Sequence, residues 1–149
     1  MRTVYEILKQ KGPQFNVIDA DKTVREAIAL MKSENISYLI VKENDEYMGI
    51  ISERDYTHKV ILRDKHSDTT LVREIMTHDI PIVSPDDSAE YCMKLMNSSK
   101  SRYLPAFDGL EFKGIITIHD LMRVAISELE QHGAKPMEHH ENLMRDYWI

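Results

Sequence analysis

The feature that most constrains the fold is a seven-residue stretch that occurs twice. Residues 49–55 read Gly-Ile-Ile-Ser-Glu-Arg-Asp and residues 114–120 read Gly-Ile-Ile-Thr-Ile-His-Asp, 65 positions apart (114 − 49). The two β-branched isoleucines favour a buried strand, and the Ser or Thr that follows suits the N-cap of a helix. An Asp three residues later faces the positive end of that helix, and the preceding glycine indicates a turn or a close backbone approach. Each copy therefore predicts a strand that runs directly into a helix, with a hydroxyl, backbone N–H groups and a carboxylate at one corner.

A wider repeat surrounds this stretch. Shifting residues 17–55 by 65 positions gives eleven identities, whereas composition alone gives about two or three. Upstream, residues 4–7 match residues 72–75 at an offset of 68 (72 − 4), so the first copy carries three extra residues near Gly12 and Pro13. We interpret the chain as two copies of one structural unit.

Each copy predicts the order β-α-β-β-α after a short leading helix. The segments are a helix (3–10; 71–76), an extended piece (17–18; 82–83), a helix opened by Asp21 or Thr23 (Asp86 or Ser88 in the second copy), a strand pair (38–42 with 47–51; 103–107 with 112–116) and a last helix from Ser52 or Thr117. The predicted organisation is repeat 1 at 3–62, a linker at 63–70, repeat 2 at 71–132 and a C-terminal helical segment at 136–149. That last segment holds the sole tryptophan, Trp148, and we expect it to dock on its own chain or on a partner subunit.

Composition limits the possible functions. A net charge of −6 and a pI near 5.6 argue against nucleic-acid binding. No apolar run is long enough to span a membrane and the first ten residues lack a signal-peptide pattern, so we expect a soluble, cytoplasmic protein with no membrane partner. The only cysteine, Cys92, is interpreted as a buried, inert thiol.

The duplicated motif resembles that of a known family. Two β-α-β-β-α copies, each ending in Gly-aliphatic-aliphatic-Ser/Thr-x-x-Asp, are similar to a tandem pair of cystathionine-β-synthase (CBS) domains, a Bateman module. Residues 72–77 (Val-Arg-Glu-Ile-Met-Thr) resemble the motif that opens a family copy, and residues 101–106 (Ser-Arg-Tyr-Leu-Pro-Ala) its Leu-Pro strand. Residues 51–56 (Ile-Ser-Glu-Arg-Asp-Tyr) are similar to those of small stand-alone CBS-pair proteins. The resemblance covers about residues 3–127 and implies an α/β fold of two repeats related by pseudo-two-fold symmetry, with an extra C-terminal helix.

The resemblance also implies a ligand and the residues that bind it. The expected ligand contains adenosine (AMP, ADP, ATP, NAD or S-adenosylmethionine) and lies in the cleft between the paired repeats. Family roles map onto this chain as ribose acceptors Asp55 and Asp120, ribose or phosphate contacts Ser52, Thr117 and Thr77, adenine-framing Ile80 and Ile82, and a phosphate-binding Arg102. Arg54, His58 and Lys59 in the first copy, or His119 and Arg123 in the second, could also supply phosphate charge, and the His119 contact would depend on pH.

The two copies differ at two of these positions. The first has Gly12 or Lys9, depending on the offset, where the second has Thr77, and it has Ser37 where the second has Arg102. We therefore expect unequal clefts, with better nucleotide chemistry around the second.

Three functions remain open on the sequence. The first is a non-catalytic regulatory module that senses an adenosine ligand, expected by family habit to be a homodimer acting on an unknown target protein. The second is a structural interaction module with vestigial clefts, in which the motif residues only cap helices. An enzyme is disfavoured because no nucleophile–base pair, P-loop or metal cluster stands out, and the His139–His140 pair suits a solvated face better than a metal site.

Overall fold

The computed structural model describes residues 1–13 and 16–133. The predicted C-terminal segment at 136–149, with Trp148 and the His139–His140 pair, lies outside the described residues. The helices are α1 (Val4–Lys11), α2 (Val24–Glu34), α3 (Glu53–Lys59), α4 (Val72–Ile75), α5 (Ala89–Ser99) and α6 (Ile118–Gln131). The strands are β1 (Val17–Asp19), β2 (Tyr38–Glu43), β3 (Glu46–Ser52), β4 (Tyr103–Asp108) and β5 (Glu111–Thr117). The predicted order β-α-β-β-α is confirmed, with Val83 alone standing for the first strand of the second copy.

One compact unit comprises Pro13–Asp79. Its sheet has the order β1-β2-β3, with β1 parallel to β2 and β2 antiparallel to β3. Asn44 and Asp45 both have positive φ (50° and 64°), as a two-residue hairpin turn between twisted strands requires. The apolar sides of α2, α4 and the sheet form its core, in which the largest fully buried side chains include Met31, Leu39 and Ile51.

The other unit comprises Met1–Gly12 and, among the described residues, 80–133. Strands β4 and β5 are antiparallel, and Val83 pairs in parallel with Ala106 just as Ile18 pairs with Val41 in the first sheet. Its core gathers apolar residues of α1, α5, α6 and both strands, and it includes Cys92, which is fully buried as predicted.

The leading helices are exchanged between the repeats. Helix α1, which precedes the first repeat in sequence, belongs to the unit of the second, whereas α4 belongs to the unit of the first. Equivalent hydrogen bonds hold each one: Val24 N donates to Thr70 O at 2.8 Å, and Ala89 N donates to Arg2 O at 2.8 Å. The acceptors are 68 residues apart (70 − 2) and the donors 65 (89 − 24), the two offsets found in the sequence. Each bond satisfies an N–H of the first turn of α2 or α5 that has no acceptor within its own helix.

Residues 63–70, predicted as the connection between the copies, are built into the first unit. A 3₁₀ turn at Ile61–Arg63 precedes them, and Ser67 O accepts from Arg25 N at 2.8 Å. Thr70 is buried. The connection therefore helps to cap α2.

Candidate functional site: two strand–helix corners

The corner at the start of α6 has the geometry predicted from the motif. Thr117 caps the helix: Asp120 N donates to Thr117 Oγ1 at 3.2 Å, and Thr117 N donates back to Asp120 Oδ2 at 2.8 Å. This reciprocal capping box satisfies two otherwise orphaned donors. Thr117 is 7% exposed and Asp120 is 5% exposed, so a charged carboxylate lies in a nearly buried site.

A lysine from α1 neutralises that carboxylate. Lys11 Nζ lies 2.8 Å from Asp120 Oδ2 and also donates to Ile115 O at 2.8 Å. The second oxygen, Asp120 Oδ1, accepts no hydrogen bond from the part of the chain that the structure describes. Asp120 Oδ1 forms an ion pair with Arg123 NH1 at 3.7 Å, a separation too long for a hydrogen bond.

The corner at the start of α3 has the same capping box. Asp55 N donates to Ser52 Oγ at 3.3 Å, and Asp55 Oδ2 accepts from Ser52 N at 2.9 Å and from Ser52 Oγ at 3.1 Å. Asp55 is 7% exposed. The predicted N-caps Ser52 and Thr117 are therefore both confirmed.

The other oxygen of Asp55 is also occupied. Asp55 Oδ1 accepts from Thr77 Oγ1 at 2.8 Å and pairs with Lys59 Nζ at 2.9 Å. Lys59 Nζ donates to Ile75 O at 2.9 Å and to Thr77 Oγ1 at 3.0 Å, which fixes the ammonium beside Asp55. Asp55 thus accepts three hydrogen bonds, and the Lys59 ammonium lies against Oδ1, so both carboxylate oxygens are occupied.

Gly49 confirms the predicted close backbone approach. Ile50 N donates to Thr77 O at 2.9 Å and Thr77 N to Ile50 O at 2.8 Å. A Cβ on Gly49 would lie 2.7 Å from Thr77 O. Only glycine lets the chain after α4 pass this close to β3 and place the Thr77 hydroxyl on Asp55.

The predicted site residues do not all lie in the copy to which the sequence assigned them. Thr77 lies beside Asp55 and belongs to that unit, not to the unit that holds Thr117. Arg102 is exposed, and its backbone oxygen accepts from Ile118 N at 3.0 Å, so it stands next to the corner at α6.

The remaining predicted residues differ in exposure. Ile82 is 60% exposed, Ile80 packs partly against the core of its unit, and Arg54 is exposed. His119 is half-buried, and its pKa lies below the ordinary value of 6.5 because burial and the charge of Arg123 disfavour the imidazolium, with Asp120 opposing them.

The sequence interpretation missed Lys11, and it named Lys59 only as a source of phosphate charge, not as a partner of Asp55. Lys59 stands four residues after Asp55 on one helix, a spacing at which side chains meet, so this pair was within reach of the sequence. Lys11 is separated from Asp120 by 109 positions, and no local spacing signals their contact.

A second concave feature lies in the same unit as Asp120. It is a groove of about 380 Å³ between α5 and α6, with an apolar floor and a basic rim. Its lining residues include Met93, Met96, Lys100, Arg102, Leu121 and Met122.

Within 1–13 and 16–133, no three His, Cys, Asp or Glu residues are grouped as a metal ion would need. No helix in these residues is long and apolar enough to cross a membrane.

Comparison with known proteins agrees with the duplicated architecture. The family model described as "CBS domain" matches residues 4–61 and again 72–127. A solved structure of a protein with CBS domains, proposed to act in signal transduction, from Burkholderia ambifaria MC40-6 superposes with a TM-score of 0.78 at 38% identity, covering 84% of this chain and 94% of that one. The hexameric CBS-CP12 protein from bloom-forming cyanobacteria superposes with a TM-score of 0.67 at 31% identity, covering 81% of this chain and 70% of that one.

Curated relatives extend beyond the matched region. CBS domain-containing protein CBSX3, mitochondrial, from Arabidopsis thaliana is 30% identical over 135 residues, which are 85% of this chain and 66% of that protein. A 33.4 kDa protein from the ribosomal RNA operon of Thermofilum pendens is 35% identical, and the match spans 41% of its length.

Proposed function

Because the chain belongs to the CBS-domain family and carries two CBS domains in tandem, we propose that it is a non-catalytic regulatory module that binds an adenosine-containing ligand. The ligand is AMP, ADP, ATP or NAD, and the corner at the start of α6 is its main contact. The observation that carries this proposal is Asp120 Oδ1, an oxygen of a nearly buried carboxylate that accepts no hydrogen bond from the described residues.

Ribose chemistry suits this oxygen. A carboxylate oxygen can accept two hydrogen bonds, and a ribose hydroxyl is a neutral donor that would bond to this one. Phosphate groups have basic partners nearby on the same unit, since Arg123 pairs with Asp120 and Arg102 stands beside the first turn of α6. Arginine suits phosphate because its planar fork can donate two parallel hydrogen bonds.

Relatives support a regulatory role. The similar Burkholderia protein is proposed to act in signal transduction. A site made of a capped helix end, one carboxylate and surrounding cations provides binding and orientation. It offers no evident nucleophile–base pair among the residues that form it.

Isothermal titration calorimetry with AMP, ADP, ATP and NAD tests the proposal. At least one ligand should bind more tightly than millimolar, and Asp120→Asn should weaken it at least tenfold. Asp45→Asn is the matched control, because the Asp45 side chain is fully exposed and asparagine tolerates its positive φ. Affinity no better than millimolar for all four ligands would contradict the proposal.

Recovery of the ligand tests the non-catalytic part. After prolonged incubation with the pure protein, chromatography should return ATP and NAD unchanged. Turnover that disappears in Asp120→Asn would instead indicate an enzyme.

The groove between α5 and α6 favours a second function, self-association. Methionine-rich apolar surface with a basic rim suits a protein partner, and the similar cyanobacterial CBS-CP12 protein is hexameric. The occupant we propose is a second copy of this chain. Light scattering after size exclusion should show that Met122→Glu lowers the oligomeric state while Leu110→Glu, at a fully exposed turn, does not. A monomeric wild-type protein would contradict this function.

A further inference from the structure

The two corners share a fold and a capping box but differ in how many donors their carboxylates receive. Asp55 accepts three hydrogen bonds, from Ser52 N and Ser52 Oγ on Oδ2 and from Thr77 Oγ1 on Oδ1, and Lys59 Nζ forms an ion pair with Oδ1 at 2.9 Å. Asp120 receives two hydrogen bonds, both on Oδ2, from Thr117 N and Lys11 Nζ. Exposure does not separate the corners, since the two aspartates are 7% and 5% exposed.

The donors on Asp55 Oδ1 match those that a ribose would supply. A ribose cis-diol offers two O–H donors, and Oδ1 already accepts from one hydroxyl at 2.8 Å and pairs with one ammonium at 2.9 Å. The two internal donors also bond to each other, because Lys59 Nζ donates to Thr77 Oγ1 at 3.0 Å. A ligand hydroxyl would therefore have to break a connected network in which every member is satisfied.

The different paths of the chain cause this difference. Helix α4 ends at Ile75 and the chain then pairs with β3, which brings the Thr77 hydroxyl to the carboxylate. The corresponding helix of the other unit, α1, continues to Lys11, and the Lys11 ammonium bonds to Ile115 O, the counterpart of Ile50 O. The Lys11 ammonium thus takes the place that Thr77, with its backbone pairing to Ile50 and its hydroxyl, has in the other corner. Asp120 Oδ1 is left without a hydrogen bond from the described residues.

We infer that Lys59 and Thr77 close the Asp55 corner to nucleosides, so that each chain takes a single adenosine ligand, at Asp120. This inference rests on the proposed function and adds the stoichiometry and the residues that set it. Lys59 and Thr77 act as specificity-determining residues by occupying an acceptor rather than by touching the ligand.

Calorimetry of the full chain with AMP tests the inference. Wild type should bind one AMP per chain, and Asp120→Asn should lose at least tenfold in affinity. The double variant Lys59→Met with Thr77→Val frees Asp55 Oδ1 and should bind two AMP per chain. The matched control is Lys94→Met with Thr57→Val, which removes an exposed i,i+4 lysine pair and an exposed threonine hydroxyl and should keep one site.

Each outcome has a distinct meaning. Two AMP per wild-type chain, one of them lost in Asp55→Asn, would overturn the inference and leave the proposed function intact. No AMP binding by the wild type would overturn both. A folded double variant that still binds one AMP would show that donor occupancy does not close the corner. If the double variant unfolds, the wild-type stoichiometry and the Asp120→Asn result decide the matter alone.

Discussion

Lys11 Nζ lies 2.8 Å from Asp120 Oδ2, although 109 positions separate the two residues in the chain. The Lys11 side chain is 20% exposed and the Asp120 side chain 3% exposed, so this pair is much less hydrated than a surface ion pair. Removing one partner of such a pair leaves a charge without compensation.

Lys11→Met should therefore destabilise the protein markedly. The change removes the donor to both Asp120 Oδ2 and Ile115 O, and the expected loss is about 2 kcal/mol in the free energy of unfolding. Lys94→Met breaks an exposed pair with Glu90 and should cost less than about 0.5 kcal/mol. Urea unfolding of both variants measures the difference, and equal midpoints would show that the buried pair contributes little.

Gly49→Ala should also destabilise the protein. The new Cβ would lie 2.7 Å from Thr77 O, a backbone atom that moves only if its pairing with Ile50 is disturbed. Backbone shifts of this kind cost about 1–3 kcal/mol. Gly109→Asn is the control, because Gly109 has open space around it and asparagine tolerates its φ of 61°. Thermal unfolding measures both, and a Gly49→Ala variant as stable as wild type would refute the close-approach argument.

The sequence predicted the elements because each has a local signal. Ile50 and Ile51 sit in a short β-branched run that favours a strand, and Ser52 and Thr117 occupy N-cap positions three residues before an aspartate. These features depend on neighbours within a few residues. Because the unit is repeated, each pattern occurs twice in the chain and supports the same prediction twice.

The pairing of leading helices with repeats was not predictable in the same way. Helices α1 and α4 share a Val-x-Glu-Ile pattern, so either could pack on either repeat as far as sequence shows. The choice depends on chain connections and loop closure, whose free energy changes only slowly with length. The contact of Lys11 with Asp120 follows from that choice, as does the placement of Thr77 beside Asp55, and both needed the structure.

Cys92 should be unreactive in the native protein. It is fully buried, and burial together with the charge of Asp87 raises the pKa of its thiol to about 11, so little thiolate forms at neutral pH. A thiol-specific chromogenic disulfide at pH 8 should label it only after denaturation. Ser98→Cys in a Cys92→Ala background places a thiol at an exposed position of the same helix and should react at once. Fast labelling of native wild type would contradict the described packing.

His119 should make the stability of the protein fall as pH drops through 6.5, the ordinary pKa of histidine. Burial and the charge of Arg123 hold its pKa in the folded protein below the 6.5 of an ordinary histidine, against the attraction of Asp120. The unfolded chain therefore binds a proton at a higher pH than the folded chain does, so stability falls as pH drops through about 6.5 and the fall ends below the folded pKa. His119→Asn removes this contribution and should lose less stability than wild type over that range. His58→Asn, at an exposed position of α3, controls for the loss of a histidine. Urea midpoints at several pH values measure the effect, and NMR follows the titration of the imidazole. An equal fall in the midpoint for wild type and His119→Asn would show that this histidine has the same pKa in the folded and unfolded chains.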